Sequence, residues 1–233
     1  AGNRAVSKLN PKRPPTGSYP VIFDQRISNS LIGHLTSAIN GTSISRGSSW
    51  LRESLGKQIL PNKVTLCEDP NRPRINGSRP FDGEGLPTCK KNFVENGILK
   101  RYVLDLRSAR KLNLKPLGNA YRTLSSAPTP GVGNLELSPS NKSVQDLMKD
   151  IKNGLLVTSL IGSTINQNTG DYSRGANGFW IENGEVVFPV NECTIAGNLK
   201  EMLLNMNIAN DGKTYLSKVI PSVLVRNMTI AGG

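Results

Sequence analysis

A single histidine, His34, and three scattered cysteines, Cys67, Cys89 and Cys193, are all the imidazole and thiol in 233 residues. One imidazole leaves a zinc site short of ligands, and thiols this far apart make no C-x-x-C pair of a zinc ribbon or redox motif. The cysteines therefore read as reduced and structural. Aromatic residues are only 5% of the chain, and none interleaves the basic pairs in the way single-strand nucleic-acid binders require. Also missing are a G-x-S-x-G elbow, a G-x-x-x-x-G-K-[ST] loop and a G-x-G-x-x-G turn, which excludes nucleophile-elbow hydrolases, P-loop NTPases and dinucleotide folds. A Ser-His-Asp arrangement would have to use His34, which sits next to Gly33 inside an amphipathic segment with no nucleophile motif to match. Ala1 to Pro20 carries Arg4, Lys8, Lys12 and Arg13 with no apolar stretch behind them, so no secretory signal is read there. The uncharged stretch from Leu155 to Gly170 is interrupted by Asn, Gln, Ser, Thr and Gly, a poor hydrocarbon span. No membrane crossing is expected, and the expected compartment is the cytoplasm.

With 36% hydrophobic and 20% charged residues, the chain has the composition of a globular protein with a real core. Its net charge is +12, and the excess is uneven: up to Arg122 there are 21 Lys and Arg against 8 Asp and Glu, and from Leu124 onward 8 against 9. A basic half is an electrostatic footprint that could meet phosphates or an acidic protein. The charges come in pairs such as Lys90/Lys91 and Arg110/Lys111, with no dense run and no basic helical stripe, so nucleic acid is not the expected partner.

Pro20 to Asp24 reads as a short strand after a Pro- and Lys-rich arm. The clearest helix follows, with Ser28 as N-cap, Ile27, Leu31, Ile32, Leu35, Ala38 and Ile39 at helical spacing, and Gly41 where a left-handed stop belongs. Ser49 to Ile59 repeats the helical pattern more weakly. Val64 to Glu68 reads as a strand and Asp69 to Leu86 as a long loop. Phe93 to Leu99 and Trp180 to Val186 echo each other in the order aromatic, aliphatic, Glu, Asn, Gly, any, aliphatic, and Asn-Gly between apolar residues predicts a type I′ hairpin. Ser143 to Asn153, stopped by Gly154, and Asn198 to Met206 read as helices, and Ser222 to Ile230 as a final strand. The expected fold class is α+β, mainly antiparallel sheets with a duplicated hairpin unit and a few packed helices.

Two glycine-rich segments bring arginine and acid together: Gly77 to Gly85, with Arg79, Asp82 and Glu84, and Thr169 to Ala176, with Asp171, Tyr172, Ser173 and Arg174. Such segments can approach a peptide or a partner closely, or can be turns held by internal Arg–Asp pairs.

Four stretches together carry a resemblance: DPxRPRxxGSRPFDGEG (Asp69 to Gly85), TGDYSRGAxGFWIENGE (Thr169 to Glu185), TIAGNL (Thr194 to Leu199) and MTIAG (Met228 to Gly232). They resemble the TldD/PmbA family, the so-called modulators of DNA gyrase, and most closely its PmbA branch, also called TldE. The similarity runs from about Tyr19 to Gly233. It implies that residues 19–233 are the family's C-terminal domain and residues 1–18 an extended arm or linker from an N-terminal domain absent from this sequence.

The resemblance further implies a cytoplasmic TldD/TldE metalloprotease that processes peptides and unfolded segments. Zinc is then held by a TldD-like partner, on a helix bearing His-Glu, three intervening residues and a second His. Laid on this chain through Gly41 and Arg46-Gly47, those three positions fall on Ile32, Gly33 and Ser37, which offer neither imidazole nor carboxylate. The expectation is a non-zinc subunit with no cofactor or catalytic residue of its own. Its partners would be a TldD-like zinc subunit, or a second copy of itself, and a peptide substrate, with Arg79, Asp82, Glu84, Asp171, Tyr172, Ser173 and Arg174 as candidates to face the cavity. The alternative is a non-catalytic module binding nucleic acid or an acidic, gyrase-linked protein through its basic half.

Overall fold

The computed structural model describes residues 2–232, the side chain of Ser163 aside. The first elements are α1 (Gly2–Val6), β1 (Gly17–Phe23), α2 (Gln25–Ala38), α3 (Gly41–Arg46), β2 (Leu66–Glu68), β3 (Lys91–Glu95), β4 (Ile98–Leu99), α4 (Leu106–Leu112), β5 (Ala120–Tyr121), β6 (Thr129–Pro130) and β7 (Leu135–Leu137). There follow α5 (Val144–Lys149), β8 (Asn153–Ile165), β9 (Asp171–Glu182), β10 (Glu185–Asn198), α6 (Leu199–Leu204), β11 (Asn207–Ile208), β12 (Lys218–Val219) and β13 (Val223–Ala231). This is the α+β mixture expected. Among the described residues no helix is long and apolar enough to cross a membrane.

The chain divides into two compact units: Ala1–Asn29 with Pro139–Gly212 and Pro221–Gly233, and Ser30–Ser138 with Lys213–Ile220. In the first unit, β8, β9 and β10 are successive antiparallel strands of 12 to 14 residues. β1 pairs in parallel with β8 and antiparallel with β13, and β13 pairs with β10, so five strands close into a ring, with β11 added on β13. The closing ladders are short: β1 meets β8 only over Leu155–Val157 and β13 meets β10 only over Thr194–Ala196, so beyond them β8 and β10 keep an open edge. Side chains alternate across it. One face holds an aromatic cluster, with Tyr19 edge-on to Trp180 at 5.0 Å, Trp180 stacked on Phe188 at 6.3 Å and Phe23 against Tyr172 at 6.4 Å. The opposite face brings Ile22, Ile181 and Leu224 against Leu147 of α5 and Ile151 beyond it.

The second unit is built from shorter pieces. Its sheet runs β12-β7-β2-β3-β4, with strands of two to five residues, all antiparallel except β12 with β7. Leu66, Phe93, Val94, Leu99, Leu135 and Leu137 are buried in its core. Glu68 and Lys91 are buried with them and paired at 3.1 Å. Glu68 also accepts from Asn119 Nδ2 at 2.7 Å and the Gly133 amide at 2.6 Å, and Lys91 donates to the Leu117 carbonyl at 2.8 Å, so the pair is satisfied on both sides.

Both Asn-Gly hairpins form, with Asn96 and Gly97 at φ 49° and 82° and Asn183 and Gly184 at 50° and 83°, the doubly positive type I′ turn. They lie in different sheets. Ser143 caps α5 in a reciprocal box with Asp146, Asn198 caps α6, and β13 forms as read.

Several boundaries differ from the sequence reading. The cap of α2 is Asp24, whose side chain accepts from the Arg26 amide at 2.9 Å, while Ser28 is buried inside the helix and bonds back to the Gln25 carbonyl. Gly41 opens α3 and stops nothing. A Cβ there would sit 2.5 Å from Ser108 Oγ, so glycine is needed for close approach to α4. The left-handed stop is Gly47, at φ 76°. Ser49 to Ile59 is no helix but a chain of i→i−3 turns, with Gly56 at φ 80° breaking any continuation. α5 ends at Asp150, and Gly154 lies within β8. In the arm, Gly2–Val6 is helical and Lys12 bridges Val190.

Candidate functional site

The seven residues singled out in the two glycine-rich segments fall in different units: Arg79, Asp82 and Glu84 in the second, Asp171, Tyr172, Ser173 and Arg174 in the first. Asp82 is buried. One carboxylate oxygen accepts from the Glu84 and Leu86 amides at 2.9 Å each, the other from the Ala120 amide at 2.9 Å, fastening the loop to β5. Glu84 accepts from the Leu106 amide at 2.8 Å, beside the Asp105 cap of α4. Arg79 lies flat over the Tyr121 ring, 3.6 Å from its centroid, and donates to the Ala120 carbonyl at 3.0 Å. Each charged group of this loop is thus turned toward a backbone group or a ring. No internal Arg79–Asp82 pair holds the loop among the described residues, because backbone donors and acceptors, which have no other partner in so irregular a segment, take the side chains first.

The second segment is not a loop. Only the turn from Asn166 to Gly170 is irregular; from Asp171 the chain is β9, with Ser173 facing Thr164 on β8 and Ala196 on β10. Glycine there permits close strand packing: a Cβ on Gly178 would lie 1.9 Å from the Leu156 carbonyl oxygen. Asp171 accepts from Thr169 Oγ1 at 2.5 Å and Asn198 Nδ2 at 3.0 Å, and these bonds, the Thr169 bond foremost, hold its carboxyl below the ordinary range. Tyr172 is buried against Phe23, and burial pushes its phenol up to about 12, opposed by Arg174. Arg174 Nε donates to the Gly162 carbonyl at 2.7 Å, a brace from β9 to β8. Asp171 and Arg174 do not pair with each other.

On α2, Ile32 is fully buried, Gly33 is half-buried with open space where a side chain would begin, and Ser37 is exposed. An aliphatic chain, a missing side chain and one hydroxyl are not a donor set for zinc, so the positions matched to the family's metal helix do not fit that metal. Among the described residues no three His, Cys, Asp or Glu side chains gather as a metal site.

No sequence motif marks a cleft that lies in the second unit between α3 and α4. It encloses about 160 Å³, with Arg46, Arg107 and Lys111 on its walls. Arg107 and Lys111 are four apart on one helical face, a signal visible only once α4 is recognised as a helix.

Compared with known proteins, residues 16–232 match the family model described as the PmbA/TldA metallopeptidase C-terminal domain. The chain is 43% identical to Metalloprotease PmbA of Escherichia coli O157:H7, over 98% of this chain and 49% of that protein. Among solved structures, a protein of Thermotoga maritima described as a modulator of a DNA gyrase superposes with a TM-score of 0.88 at 33% identity, over 99% of this chain and 54% of that one. TldE from Thermococcus kodakarensis superposes with a TM-score of 0.85 at 28% identity, over 99% and 55%. The chain therefore spans about half the length of the curated relatives it matches.

Proposed function

The chain belongs to the PmbA/TldD metallopeptidase family, and from that membership we propose that it is the non-zinc, PmbA/TldE-type subunit of a two-component metalloprotease acting on peptides and unfolded segments. The observation that carries this reading is α2, where Ile32, Gly33 and Ser37 stand at the positions matched to the metal ligands and the carboxylate base. Metal and base then come from a TldD-type partner, and this subunit shapes and docks. The closed part of the ring suits that task, since strands paired on both sides keep their geometry when a partner or substrate binds.

The test uses the full-length protein, alone and mixed with a TldD-type subunit. Elemental analysis after chelator washing is expected to find zinc only where the partner is present, and an unfolded peptide is expected to be cut only by the mixture. About one zinc per chain in this protein alone, or cleavage without the partner, would overturn the reading.

A further inference from the structure

The cleft between α3 and α4 is not used by the function proposed above. Arg46 leaves the last turn of α3, while Arg107 and Lys111 stand one turn apart on α4. The helices approach so closely at Gly41 that a side chain there would strike Ser108 and Leu104, and this contact brings the third cation to the other two.

Among the described residues no acidic side chain pairs with the trio. The one carboxylate on the wall, Asp105, is buried and committed to the Ser108 amide at 2.8 Å and the Ser108 hydroxyl. Arg107 sits in the first turn of α4, where a cation opposes the helix dipole, and at i and i+4 to another cation, which repels it. Lys111 in the last turn is favoured by the dipole, so the penalties fall on Arg107 and on the Arg107–Lys111 repulsion, and an anion held between the cations would offset both. Counting Asp105, the walls carry a surplus of two positive charges. Pro128 supplies an apolar wall and Thr129 a hydroxyl. The enclosed 160 Å³ far exceeds the roughly 10–15 Å³ that one water needs on the same measure, so an inorganic ion alone would leave much of the cleft empty.

We propose that the cleft between α3 and α4 binds an organic oxyanion, a carboxylate or phosphate group on a small apolar body, through Arg46, Arg107 and Lys111. The body lies against Pro128 and the charged group between the helices.

Titration calorimetry on the full-length protein with phenyl phosphate, benzoate and inorganic phosphate separates the sources. One-to-one binding of phenyl phosphate or benzoate is expected, and the tighter of the two names the head group. Arg107→Gln and Lys111→Gln should each weaken binding about tenfold, the scale of one charge-assisted hydrogen bond. Both side chains are exposed, so the variants should melt like the parent. Arg101→Gln, away from the cleft, should bind normally. No binding of either organic anion, or an equal loss in Arg101→Gln, would overturn the site. Inorganic phosphate binding as tightly as phenyl phosphate would overturn the role given to the apolar wall. Zinc content and proteolysis are separate readouts, so this proposal and the subunit assignment fail independently.

Discussion

The two units solve the same problem, the pairing of buried backbone groups, by different means. In the first, strands of up to 14 residues pair along long ladders that take up one another's amides and carbonyls. In the second, no strand exceeds five residues, and much of the backbone is irregular. There the partners are side chains: the buried charged residues, Glu68, Asp82, Lys91 and Asp105, all lie in the second unit. Charge follows the same division. The second unit carries 18 Lys and Arg against 8 Asp and Glu, the first 11 against 9. Where main-chain pairing is extensive, side chains are left to pack; where it is sparse, charged side chains are drawn inside to meet backbone groups.

If that contrast is right, the largest effect belongs to the second unit's ion pair. Lys91→Met would leave Glu68 buried and uncompensated, and should cost about 3–5 kcal/mol in urea unfolding. Adding Glu68→Gln should recover part of the loss. A Lys91→Met protein as stable as the parent would break the contrast. In the first unit the matching weak point is backbone proximity. Gly178→Ala should cost about 3 kcal/mol, because its methyl would overlap the Leu156 carbonyl. Hydrogen exchange should then show loss of protection along β8 and β9.

Tyr172 sharpens the contrast at alkaline pH. Burial raises its phenol from 10 to about 12, so the folded state favours the neutral form. The stability from that preference is fully present below pH 10 and is lost as pH rises toward 12. About 2–3 kcal/mol should disappear over that window. Tyr172→Phe should abolish this part of the alkaline loss in pH-dependent denaturation, and an unchanged profile would count against burial as the cause. The smallest effect is expected for Arg174→Ala, which removes the hydrogen bonds to the Gly162 carbonyl and to Tyr172 and should cost about 1–2 kcal/mol. Melting and the proteolysis of the reconstituted pair should be measured on the same variant. A modest loss of stability with activity kept marks a brace, whereas lost activity with melting unchanged would place Arg174 in the cavity.

How much was legible depended on the range of the interaction. The Asn96-Gly97 and Asn183-Gly184 turns could be read because positive φ at two successive residues is a local demand. The helix starts at Ser143 and Asn198 could be read, and there each side chain reaches an amide two or three residues ahead. Gly41 was misread because its conformation is ordinary and the reason for glycine is Ser108, far along the chain. The segment from Asp171 to Ala176 looked like a loop by composition, and only pairing on both sides makes it a strand. Paired arginine and acid on one short segment was a fair local expectation, yet Asp82, Glu84 and Arg174 each chose a backbone group brought by another element.

By itself, then, the sequence determined the hairpin turns, the starts of α5 and α6, the basic excess and the family, since each is written in neighbouring residues or in long motifs. The expectation that Ile32, Gly33 and Ser37 stand at the family's metal-helix positions likewise came from the sequence alone. Only the tertiary structure decided that β1 and β13 close the ring, that the charge excess and the buried carboxylates share one unit, and that Arg46 meets Arg107 and Lys111. Those depend on contacts between residues tens to hundreds of positions apart, and no local preference specifies which distant amide or charge will arrive.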